Sequence, residues 1–212
     1  MDRLLDVGLE QLTTLVFKMG EVAETAIITS IRGFMDQKDT TKNVFELSEI
    51  LGEMSADAET KAFELIVKYQ PVASDLRIIN SYMKIAYDFE RYGRYAWDIS
   101  LTHKRLAKLD RCASSSETMQ TLIDKVTDMV SESIRALKQH DAEMARALAG
   151  EEKIVDDLYF AYLDELAKTP VRTKCVMCNL LVSRFLERIA DHTTYVGEAI
   201  IYIVSGEKLS LR

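Results

Sequence analysis

Apolar residues recur every three or four positions along most of the chain, the spacing of a single face of an α-helix. Leu47, Leu51, Met54, Ala58, Ala62 and Leu65 form one such row. No stretch alternates apolar and polar residues for long enough to require a strand. The pattern predicts six helices, at about 4–36, 43–69, 75–108, 117–139, 141–168 and 172–204. The polar run from Asp36 to Thr41 closes the first. Pro71 and Pro170 stop the second and fifth, because proline lacks a backbone N–H and collides with the preceding turn. Ser74 or Asp75 is the expected cap of the third helix, and Ser205-Gly206 the expected end of the sixth. The polar string Arg111 to Ser116 reads as a linker between two halves.

The halves repeat. Ser30-Ile31-Arg32 comes shortly before Asp39, and Ser133-Ile134-Arg135 shortly before Asp141. An acidic helix follows, then Pro71-Val72 or Pro170-Val171, then a long helix carrying Glu90-Arg91 or Glu187-Arg188. Three landmarks in one order indicate tandem duplication. The expected fold is all-α, two three-helix antiparallel bundles, with repeat 1 at 8–108 and repeat 2 at 117–206.

Composition agrees with long helices: only 2 Pro and 8 Gly interrupt 212 residues. The net charge of −7 disfavours binding to nucleic acid, whose phosphates attract basic surfaces, and suits cations or basic partners. Cys175 and Cys178 form a C-x-x-C within a helical pattern, without the further ligands of a zinc site. They read as small apolar core residues one turn apart, with Cys112 alone. The early acids Asp2 and Asp6 and the lack of a long apolar block predict neither a signal peptide nor a membrane span. A reducing, cytoplasmic setting is expected.

The chemistry lies in carboxylates. Glu53 and Asp57 form E-x-x-x-D in the second helix, and Glu152 and Asp156 do so in the fifth, each pair at the same distance before its proline. Glu187 and Asp191 repeat the spacing in the sixth helix; the third has Glu90, then Arg94, with Asp98 a turn further on. Residues four apart share a helix face, so their charges repel unless a cation lies between them. Facing pairs from adjacent helices would offer oxygen donors to Mg, Ca, Mn or ferric iron. The plain alternative is a solvated acidic stripe, which suits Glu46, Glu49, Glu53, Asp57 and Glu64 on the second helix. No histidine stands three positions after a glutamate, which weighs against a di-iron bundle; His192 reads as structural or surface. Glycine-rich phosphate loops and nucleophile elbows are missing, so the chain does not read as an enzyme. Tyr82, Tyr87, Tyr92, Tyr95 and Trp97 on the third helix read as packing between helices, or else as a partner surface.

Two strings are specific. Gln70-Pro71-Val72-Ala73-Ser74-Asp75-Leu76-Arg77 and Leu186-Glu187-Arg188-Ile189-Ala190-Asp191-His192 resemble signatures of the PhoU family, and Ile203 to Glu207 is also similar. The resemblance spans roughly residues 8–206. It implies a cytoplasmic, often homodimeric regulator that acts with a phosphate ABC transporter and a sensor kinase, touching membrane complexes only peripherally. It also implies multinuclear metal, iron or other ions including zinc, on Glu53, Asp57, Glu90, Glu152, Asp156, Glu187 and Asp191. Arg94 departs from the aspartate usual in the family, so the first-repeat site is expected to be weakened by repulsion or by pairing with Glu90. Against a regulator of phosphate uptake stand a metal-storage or metal-sensing protein, a regulator of another transporter, a metal-dependent phosphohydrolase and a purely structural oligomer.

Overall fold

Each predicted apolar row becomes the buried face of a helix. In the computed structural model, residues 4–106, 116–168 and 173–211 are described. They form α1 (Leu4–Met35), α2 (Thr41–Tyr69), α3 (Ser74–Leu106), α4 (Glu117–Gln139), α5 (Ala142–Lys168) and α6 (Thr173–Ser205), with no strand among the described residues. Helices α1, α2 and α3 pack on one another, as do α4, α5 and α6, giving the two three-helix bundles. The bundles join chiefly along α3 and α6, and secondarily along α1 and α4. No described helix is long and apolar enough to cross a membrane.

Local chemistry sets the ends. The Asp39 carboxylate accepts from Thr41 N at 3.1 Å, and Asp141 accepts from Glu143 N and Met144 N at 2.9 Å. These bonds satisfy N–H groups that a first helical turn leaves open, so the aspartates open α2 and α5. The bonds to Thr41 hold the Asp39 carboxyl down, at a pKa of about 2. Ser116 caps α4 through Met119 N. Pro71 lies buried in the turn between α2 and α3, as its missing N–H demands. Pro170 and most of the expected linker lie outside the described residues. Ser74 and Asp75 are the first residues of α3 rather than its cap: Ala73 before them takes a left-handed φ of 49°.

The core is continuous through both bundles. Leu51, Ala58 and Ala62 of the α2 row are fully buried, whereas Glu46, Glu49, Glu53, Asp57 and Glu64 face solvent. Tyr82, Tyr92 and Tyr95 are buried and Trp97 half-buried, as interhelix packing requires; Tyr87 is 56% exposed. Tyr92 Oη lies 3.2 Å from Ser133 Oγ, a polar contact from α3 to α4. In the second bundle Gly197 lets α6 approach α5 closely: a Cβ there would lie 3.0 Å from the Ala145 carbonyl oxygen. That close approach brings the acidic faces of α5 and α6 alongside one another.

The two cysteines of the C-x-x-C differ. Cys178 is a free, buried thiol whose pKa burial pushes up to about 11, while Cys175 is disulfide-bonded. Both lie in the core, as read, while the reducing setting expected for them agrees with Cys178 alone. Cys112 lies outside the described residues.

Candidate metal centre

The second-repeat carboxylates converge. Glu152 and Asp156 on α5 and Glu187 and Asp191 on α6 line one cleft of about 460 Å³. Helical spacing places each pair on a common face, and the antiparallel packing of α5 on α6 turns the two faces toward each other. Glu187 and Asp191 are buried, with side chains 10% and 6% exposed; Glu152 and Asp156 are half-buried.

Two arginines share the cleft, Arg184 and Arg188. Arg188 Nη1 donates to Asp191 Oδ2 at 2.9 Å. Arg184 Nη1 stands 2.6 Å from Glu187 Oε2. That pair attracts by charge but is misaligned for a hydrogen bond, so Glu187 Oε2 is a buried oxygen that accepts none. Arg188 is held from behind by the Tyr95 hydroxyl, 3.5 Å from its Nε, and that hydroxyl also accepts from Arg91 at 2.8 Å. With the carboxylates turned onto these guanidinium groups, no group of three or more His, Cys, Asp or Glu among the described residues is arranged to hold a metal ion. The donors are present, but the two on α6 are each paired with an arginine of the same helix.

The electrostatics of Glu187 report the same competition. Burial, helped by the neighbouring Asp191 and Asp156 charges and opposed by Arg184 and Arg188, raises its pKa to about 7. A carboxyl whose pKa is higher folded than unfolded favours the folded state in its protonated form. That contribution is complete below the ordinary carboxyl value of 4.5 and is lost as pH rises through about 7. In chelator-treated protein, Glu187→Gln, which mimics the protonated carboxyl, is expected to remove this decline. Urea titrations at pH 5 and pH 8 check it; an unchanged pH dependence would mean that Glu187 ionises freely.

The first repeat builds nothing comparable from the expected residues. Glu53 and Asp57 are exposed on α2, and Glu90 lies 3.5 Å from Arg94 Nε. Of the two expectations for Arg94, pairing with Glu90 is the one observed. Asp98 is half-buried near Arg91 and Arg94, with burial raising its pKa.

Two features escaped the sequence. Arg184 and Arg188 each precede their acidic partners by three positions, a helix-neighbour spacing that was legible beside the E-x-x-x-D motif. The second is Asp88 on α3, 5% exposed, whose Oδ1 accepts from His192 Nδ1 at 2.8 Å. Burial raises the Asp88 pKa, with His192 opposing. His192 is thus structural, as read, but buried and paired across the two bundles. Asp88 sits in the apolar row of Ile85 and Tyr92, where a lone charge was the available signal.

Comparisons with known proteins agree with this architecture. The family model described as "PhoU domain" matches twice, at residues 16–102 and 119–200. A phosphate-specific transport system accessory protein PhoU homolog of Clostridium acetobutylicum is 30% identical, over 99% of this chain and 98% of that protein. A second such homolog, from Methanothermobacter thermautotrophicus, is 30% identical over 81% of this chain and 80% of its own length. The crystal structure of PhoU from Pseudomonas aeruginosa superposes with a TM-score of 0.90 at 26% identity, covering 95% of this chain and 99% of that one. With both repeats matched and a 30% identical relative aligned over nearly the whole of both chains, this chain belongs to the PhoU family.

Proposed function

We propose that this protein is a non-enzymatic regulator of phosphate uptake and phosphate-starvation signalling, working by contact with a phosphate ABC transporter ATPase and a sensor kinase. The observation that carries the reading is the match of both repeats to one family whose similar members are accessory proteins of a phosphate-specific transport system. Long amphipathic helices with charged outer faces suit protein contacts; peripheral action at the cytoplasmic face, as a homodimer, belongs to the same proposal, and no described helix is long and apolar enough to cross a membrane. Deleting the gene is expected to derepress phosphate uptake in phosphate-rich medium. Radiolabelled phosphate uptake and transcript levels of phosphate-starvation genes check this. If both stay at parental levels and the genome holds no second copy, the reading fails.

A cation at the carboxylate cleft is part of the proposal. The donor set fits a hard ion: four carboxylates meet there, and Glu187 Oε2 is buried without a hydrogen bond. Glu152, Asp156, Glu187 and Asp191 would hold it once Arg184 and Arg188 swing aside. A bound manganese, iron, calcium, magnesium or zinc ion would supply the positive charge that the arginines supply now. The first-repeat acids Glu53, Asp57 and Glu90 fit poorly, because two are solvated and the third is paired. A metal-sensing protein is the second reading, favoured by this same cleft.

A further inference from the structure

A second cleft shares no lining residue with the carboxylate site. It lies between α3 and α6 and is walled on one side by the C-terminal tail, with a volume of about 580 Å³. Small-molecule sites occupy roughly 300–1,000 Å³, so a guest of moderate size fits. The tail is held in place: Gly206 turns the chain at a φ of 79°, and Leu211 N donates to Glu198 Oε1 at 2.9 Å.

Ser81 lines this cleft from α3, fully buried, and its hydroxyl has no hydrogen-bond partner. Other buried helical serines find partners: Ser30 donates to the Ile27 carbonyl, Ser133 to Val130 and Ser183 to Leu180, and Ser100 pairs with the Thr40 hydroxyl. A buried hydroxyl left unpaired is unfavourable, so Ser81 calls for a polar group within the cleft.

The charge balance indicates which kind. Asp88 and Glu198 line the cleft, but the first is engaged by His192 and the second by the Leu211 amide. Lys84, one turn beyond Ser81, and Lys208, on the tail, also line it, and neither makes an ion pair among the described residues. Lys208 instead lies over the Tyr202 ring, 5.5 Å from its centroid. Lys84 and Lys208 are therefore the cationic groups able to meet an anion, beside a Glu198 that keeps its charge, in a chain of net charge −7. The remaining wall is aromatic. Tyr195 and Tyr202 come from α6, and Tyr87 is the α3 aromatic that stays out of the core. Rings of this kind accept a flat heterocycle by stacking, without demanding a particular one.

We propose that this cleft binds a nucleoside phosphate, the base against the tyrosine rings, the phosphate between Lys84 and Lys208, and a polar oxygen at the Ser81 hydroxyl. Inorganic phosphate shares the anionic part and lacks the ring. Binding is reversible and independent of the carboxylate site.

Calorimetric titration of the full chain, with chelator present, tests it using ATP, AMP and inorganic phosphate. Saturable binding of ATP is expected, with AMP weaker and inorganic phosphate weaker than ATP by at least about tenfold. Lys84→Glu with Lys208→Glu should weaken ATP by at least about tenfold, since both charges become repulsive. Both lysines are exposed, so helical circular dichroism should be unchanged. Ser81→Ala should weaken ATP severalfold without destabilising the free protein, because the hydroxyl it removes is unpaired. Glu187→Gln with Asp191→Asn should leave ATP affinity as it is. The proposal is overturned by no heat with ATP or AMP up to about 5 mM, by inorganic phosphate binding as tightly as ATP, or by unaltered ATP affinity in the lysine double variant.

Discussion

Glu187→Gln combined with Asp191→Asn is expected to abolish most tight cation binding, a loss of at least about a hundredfold, because affinity of oxygen sites follows the number of charged ligands. Glu53→Gln with Asp57→Asn is expected to change it little. Both substitutions keep size and polarity and remove two negative charges, so the contrast depends on where the charges sit. In the second repeat Glu187 and Asp191 are buried against Glu152 and Asp156 in one cleft. In the first, Glu53 and Asp57 are solvated and Glu90 is paired with Arg94, whose guanidinium stays charged and cannot coordinate. Elemental analysis after incubation with manganese and ferric iron, then calcium and manganese titration of both double variants, decides it. Equal losses would show that Arg94 turns away and both repeats bind. No metal retained by the parent protein would leave the arginines as the permanent partners of the cleft.

His192→Leu is expected to destabilise the protein by about 3–5 kcal/mol near neutral pH, the cost of leaving a buried charge without its partner. The charge is Asp88, 5% exposed in the seam between α3 and α6, where the two bundles join. The substitution removes its 2.8 Å hydrogen bond. The sign with pH follows from burial, which already raises the Asp88 pKa and acts unopposed in the variant. A raised folded pKa gives stability that is present below the ordinary value of 3.8 and lost as pH rises through the folded value. The deficit should therefore shrink in acid, as Asp88 becomes neutral. Asp88→Leu with His192→Leu should recover much of the loss, since replacing both partners leaves no stranded charge. Urea denaturation of the three proteins at pH 5 and pH 8 measures this. A single variant as stable as its parent at both pH values would show that the pair contributes nothing to the joint between bundles.

These two sites divide along the reach of the information each needs. The row from Leu47 to Leu65, Pro71, Asp39 and Asp141 act on neighbours within a turn or two, so their consequences could be read along the chain. The duplicated landmarks and the strings around Pro71 and Glu187 carried the bundle architecture and the family for the same reason. The E-x-x-x-D spacing fixed that Glu152 shares a face with Asp156, and Glu187 with Asp191. It could not fix that those faces meet while Glu53 and Asp57 look outward. Spacing is a property of one helix, and the direction of a face depends on which helix packs against it and how closely. Gly197 against the Ala145 carbonyl sets that approach for α5 and α6. The Asp88–His192 pair joins residues 104 apart in sequence, and the cleft of Ser81, Lys84 and Lys208 needs α3, α6 and the returning tail together. Helix periodicity is local, so the sequence alone determined six helices in two repeats. Convergence across helices is a matter of packing, so only the tertiary structure decided which carboxylates share a cleft and which arginines line it with them.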